Sequence, residues 1–191
     1  MNYKELFAKA MRILGTPANA WKEISAEEDN VAVQSGFVYP MTALCGLAML
    51  IGLYFGNGVD TFNLQLALMK CSGLFVSLFG GYFLSSYLVG HYGHRFSGLA
   101  KDAEYKSQQL VGYSMCLIFV LSIFSGLFPS FFILRWILQF YLVYIVWEGA
   151  KVLMEVPENH LLSYTLFVSV IILTVPVALA KIFTWLSSTI S

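Results

Sequence analysis

The run SQQLVGYSMCLIFVLSIFSGLFPSFFILRWILQFYLVYIVWEGAKVLMEVPENH, from Ser107 to His160, decides the fold. Two apolar stretches stand back to back, with only Pro129 and Ser130 between them. Each is long enough to cross a bilayer, since about 20 apolar residues at about 1.5 Å rise cover a ~30 Å hydrocarbon core. Together they predict a transmembrane hairpin. It leaves the membrane at Glu148 and Lys151, two interfacial residues, and the helix stop is expected at Val156-Pro157.

The rest of the chain agrees with that class. It has 191 residues, 58% hydrophobic and 12% charged, with mean hydropathy +0.72. Soluble domains carry about 25% charged residues. The formal charge is zero, so nothing in the composition attracts nucleic acid. Cys45, Cys71 and Cys116 lie in apolar runs without a CxxC pair and read as packing residues. The first 20 residues carry Lys4, Glu5, Lys9 and Arg12 and no unbroken apolar core, so no cleavable leader is expected.

Upstream, residues 3–14 place Tyr3, Leu6, Phe7, Ala10, Ile13 and Leu14 on one helical face and the charges on the other. Such a helix lies in the membrane interface, apolar face down, or docks on the protein's own bundle. On the first of these readings, deleting residues 1–14 leaves insertion intact. Thr16 and Pro17 start a second helix, which carries Trp21 to the headgroup layer. Ser25-Ala26-Glu27-Glu28 has the spacing of a capping box, so a further turn is expected there.

Five spans follow, at about 36–55, 65–89, 105–128, 131–153 and 161–186. Pro40 opens the first, Asp102 is placed to cap the third, and Pro176 should kink the last. In the second span Gly73, Ser77, Gly81 and Ser85 recur every fourth residue, the spacing that lets two helices pack closely. A pore-lining stripe is the other reading. The fold expected is an all-α polytopic membrane bundle of five transmembrane helices (35–191) preceded by an amphipathic interfacial segment (1–34). Eight of the 11 basic residues fall on the amino-terminal side; Lys70, Arg135 and Lys181 fall on the other. The positive-inside rule then puts the amino terminus in the cytoplasm and the carboxyl terminus outside. Arg135 is expected near its span end, at the interface.

No HExxH, GxSxG, P-loop or dinucleotide-binding glycine pattern occurs. No Asp or Glu sits mid-span, so a proton relay is not indicated. Glu148, Lys151 and Glu155 are spaced to neutralise one another along a helix. His91, His94 and His160 are the one constellation with ligand-like spacing; no cysteine joins them, and neither metal nor cofactor is assigned. Three function classes remain. The first is a non-enzymatic membrane-organising or partner-binding protein. The alternative is a small oligomeric transporter or channel, although no inverted repeat is visible. An intramembrane enzyme has the least support. The partners expected are the lipid bilayer and a protein partner or a second copy.

Several phrases, taken in order, resemble the Yip1 domain family in its short bacterial members. They are Thr16-Pro17 with Trp21-Lys22-Glu23-Ile24, Tyr39-Pro40, the run Ser107–Ser114 with Tyr113, and Tyr144 with Glu148-Gly149 and Val156-Pro157. The resemblance runs from about Leu14 to Leu186. It implies a multi-pass protein of the bacterial cytoplasmic membrane. Eukaryotic members are associated with Rab-type GTPases through a long cytosolic region that has no counterpart in these residues. The resemblance therefore carries the fold and no activity.

Overall fold

A computed structural model describes residues 3–26, 33–57, 62–93, 103–128 and 131–190, and every regular element among them is helical. Helix α1 is Tyr3–Gly15 and α2 is Pro17–Ala26. Thr16 breaks them, its carbonyl accepting from the amides of Asn19 (3.1 Å) and Ala20 (3.0 Å). Pro17 loses nothing by lacking an N–H at the first helical position. Ser25 itself stays within α2. It sits in the last turn of α2 and donates to the Lys22 carbonyl at 3.0 Å; residues 27–32 lie outside the described segments.

The first span begins with a π-helical turn, Gln34–Val38, and continues as α3, Tyr39–Asn57. A proline clashes with the carbonyl four residues back. For Pro40 that is Gly36, and the widened turn around Gly36 absorbs the clash. The second span is α4, Leu64–Phe75, a π-turn at Val76–Gly80, and α5, Gly81–Tyr92. Asn63 caps it, accepting from the Leu66 amide at 3.0 Å. The third is α6, Ala103–Ser114, and α7, Cys116–Leu127, joined through Met115 by unbroken helical hydrogen bonds. The expected cap Asp102 lies outside the described residues. The last is α10, Glu158–Ile190, which runs through Pro176 as one helix.

The run expected as a fourth span is two pieces: α8, Phe132–Leu138, and α9, Tyr141–Val152, with a turn at Gln139-Phe140. No proline or glycine causes the break. The pieces are tethered to different partners, Arg135 Nη1 to Ser125 Oγ (3.3 Å) and the Tyr141 hydroxyl to the Leu14 carbonyl (2.9 Å). Among the described residues four helices are thus long and apolar enough to cross a bilayer, Gln34–Gly56, Leu64–Tyr92, Glu104–Leu127 and Glu158–Thr189. That broken run is of full length only if both pieces are counted. Helix α9 also ends at Val152, four residues short of the expected stop. Glu155 then takes a positive φ of 50° and leaves the helix, so it meets Lys106 (4.0 Å) instead of Lys151.

Glu104–Leu127 forms the centre of the bundle: 67% of its most apolar window is buried by protein, against 28–33% in the other three long helices. Helix α1 is part of the same core. Leu6, Ala10 and Ile13 are buried, as are Ala20, Trp21 and Ile24 of α2. The apolar face expected on lipid is therefore largely covered by protein, and removing residues 1–14 would open the core. A second stripe, Tyr3, Phe7 and Met11, stays 49–69% exposed.

Candidate functional site

At one end of the bundle the amino-terminal helices close a clasp. Trp21 does not lie among headgroups; it is 0% exposed, and its Nε1 donates to the Ile145 carbonyl at 2.9 Å. A buried indole needs such a partner for its one polar atom. Gly149, one turn along α9, makes room for the ring. A Cβ there would stand 2.7 Å from Trp21 Cε2 and 2.6 Å from Leu110 Cδ1. Tyr113 of α6 meets Trp21 edge-on at 6.2 Å, packs on Phe37 at 5.1 Å, and carries Lys9 Nζ over its ring at 5.2 Å. Trp21, Tyr113 and Gly149 are far apart in sequence and meet at this one place. On the outer surface Arg12 pairs with Glu23 at 2.7 Å, a contact worth about 0–1 kcal/mol when so exposed.

The clasp reaches deep. Cys116 Sγ lies 3.7 Å from the Ala10 carbonyl, and Cys116 is ten residues along its span from Lys106. Tyr141, which holds Leu14, is likewise ten residues from Lys151 along α9. At about 1.5 Å per residue, α1 is held some 15 Å further along the bundle than either lysine.

Three of the four-spaced residues of the second span, Gly73, Ser77 and Gly81, face α10. A Cβ on Gly73 would meet Phe183 Cδ1 at 2.9 Å, and one on Gly81 would meet Pro176 Cγ at 2.8 Å. Between them Ser77 Oγ donates to the Pro176 carbonyl at 2.8 Å, while Ser85 is fully buried. The two helices run antiparallel, since Gly93, at the far end, approaches Tyr164. Gly81→Leu is accordingly expected to lower stability in detergent by about 1–3 kcal/mol through overpacking. Leu166→Ala, on an exposed face of α10, should change it little. Equal melting of Gly81→Leu and the parent would refute the contact.

Two contacts escaped the sequence reading. Helices α3 and α7 cross backbone to backbone: a Cβ on Gly52 would overlap the Gly126 carbonyl oxygen, and one on Gly126 would stand 3.0 Å from the Met49 nitrogen. Secondly, Lys70, Arg135 and Lys181 come from three helices to line one cavity of about 750 Å³. Arg135 is thus half-buried in protein. Glu148 is half-buried and Lys151 exposed. The histidines are not brought together in what is described. His91 stacks on Tyr87 at 5.8 Å, His160 is exposed at the start of α10, and His94 lies outside the described residues. Among the described residues no group of three His, Cys, Asp or Glu could hold a metal.

Long apolar helices, small-residue crossings and a nearly uncharged interior define a multi-pass helical membrane protein. A family model for the Yip1 domain matches residues 11–180, and the chain belongs to the Yip1 domain family. That family consists of membrane proteins not known as enzymes. No curated protein and no solved structure matches the chain.

Proposed function

We propose that the protein is a non-enzymatic membrane organiser that thins the bilayer around α1, with its charged face in the cytoplasm. The depth of α1 carries this reading. If Lys106 and Lys151 stand at the bilayer surface, α1 lies about half the thickness of the hydrocarbon core below it. Yet Lys4, Glu5 and Arg12 on that helix are exposed, and charges at such depth cost several kcal/mol each unless the bilayer deforms to hydrate them. The open stripe of Tyr3, Phe7 and Met11 supplies an apolar surface for the lowered interface. The Trp21 clasp keeps the helix from floating up to an undisturbed surface.

Spin labels test this in a cysteine-free background. Met11→Cys on α1 and Phe83→Cys on α5 lie at similar depths by residue count, Phe83 being eight residues from His91. The label at 83 should be accessible to oxygen and shielded from a water-soluble nickel complex. The label at 11 should show the reverse. If both read as deep, the thinning proposal fails.

The orientation rests on the basic asymmetry. A fifth crossing draws support from two tethers: the run 131–155 meets Ser125 at one end and Lys106 at the other, nineteen residues apart on the central span. Reporter fusions are expected to read Lys101 as cytoplasmic and Ser191 as external. The same side for both would mean that the broken run does not cross.

A further inference from the structure

The cavity lined by Lys70, Arg135 and Lys181 has no part in the clasp, and its chemistry points elsewhere. Ser77, Gln139 and Thr184 add polar groups to its wall, and none of the described residues lining it is acidic. Among the described residues none of the three cations has a carboxylate partner; Arg135 reaches only Ser125 Oγ. The cations also share a level. Lys70 is separated from His91 by the uncharged run 71–90, and Lys181 from His160 by the uncharged run 161–180. Twenty residues each, about 30 Å, place both lysines where hydrocarbon gives way to headgroups. A second hollow of about 390 Å³ adjoins the cavity, sharing Gln139, Leu173, Val177 and Lys181. Trp136, Phe140, Thr174 and Ala178 are the other described residues of its wall, among which and the shared ones Lys181 alone is charged.

A cluster of unpaired cations bordering hydrocarbon calls for a counter-charge, because isolated charges are costly away from water. A free anion would satisfy the cations and leave the apolar hollow unused. A neutral lipid would fill the hollow and leave the cations unpaired. We infer that the cavity holds one anionic phospholipid, its phosphate among Lys70, Arg135 and Lys181 and an acyl chain along Leu173, Val177 and Phe140. Basic recesses between transmembrane helices bind lipid headgroups on this principle.

Native mass spectrometry of the intact chain tests the assignment. The probes are phosphatidylglycerol, phosphatidylcholine with the same chains, and inorganic phosphate. One phosphatidylglycerol should be retained under activation that strips phosphatidylcholine. Lys70→Gln/Lys181→Gln should weaken it about 25-fold, roughly fivefold per cation, with phosphatidylcholine unaffected. Lys181→Arg, which keeps the charge and guards against a folding artefact, should retain it. Val177→Trp, filling the hollow, should weaken it as well. Equal retention of the two lipids, or wild-type retention by the double glutamine variant, overturns the site. Displacement of phosphatidylglycerol by millimolar inorganic phosphate overturns the lipid in favour of a free-anion site.

Discussion

Trp21→Ala is expected to destabilise the detergent-solubilised protein by about 3–5 kcal/mol, the usual range for emptying a large aromatic site. The ring is fully buried, and four elements converge on it: α2 that carries it, α6 through Leu110 and Tyr113, α9 through Ile145 and Gly149, and α1 through Lys9 above Tyr113. Losing it should release α1 and α2 together, so trypsin should cleave after Arg12 and Lys22 at rates typical of a free segment. Trp21→Phe should cost less, because most of the apolar area stays and the hydrogen bond to Ile145 contributes only about 1 kcal/mol. Gly149→Ala should act in the same direction as Trp21→Ala, since its methyl would press on the indole. A Trp21→Ala protein that melts with the parent and resists trypsin would remove the clasp, and with it the support for a deep α1.

The second large effect belongs to Gly52→Ala. Overpacking typically costs about 1–3 kcal/mol when side chains can shift. Here the added carbon meets a backbone carbonyl at Gly126, which cannot rotate away, so we expect about 3 kcal/mol or more. The control is close at hand, because Gly46 and Gly56 on the same helix face open space. Alanine at either should be neutral or slightly stabilising, as alanine favours helix over glycine. Thermal unfolding of the three variants in one detergent decides the matter. If Gly52→Ala behaves like Gly56→Ala, the helices do not cross at that point.

These glycines show what could be read from the sequence. Four of the spans were legible because lipid imposes a length and an apolarity. Gly73, Ser77 and Gly81 could be singled out because the same spacing repeats along one helix. Gly52 was not, even though Gly52 and Gly56 form a four-spaced pair. Of that pair only Gly52 meets a backbone, and the difference lies in where α7 passes. Trp21 was misplaced for a related reason. An aromatic ring near charged residues suits a headgroup layer, and only the cleft at Gly149, well over a hundred residues away, makes it a core residue. The break at Gln139-Phe140 carries no proline or glycine and was invisible. Lys70, Arg135 and Lys181 were sorted to one side by charge counting, but their convergence depended on how α4, α8 and α10 pack.

The π-turn at Val76–Gly80 sets the angular phase of the second span. In an ideal α-helix each residue turns about 100°, so a ladder with four-residue spacing precesses about 40° per rung. From Gly73 to Gly81 that would amount to roughly 80°, enough to carry Gly81 off the face that meets α10. A π-turn accommodates one extra residue and winds the helix back by about 100°, leaving a drift of only about 20°. The four-residue spacing and the widened turn are therefore one device. Excising a single residue between Val76 and Gly80 would restore an α-helix and leave its two halves in phase, because the residue removed is the one the widened turn absorbs. Gly73 should keep its place against Phe183, and Lys70 its place beside Arg135 and Lys181, whereas an α-helical turn that kept all five residues would swing both away by about 100°.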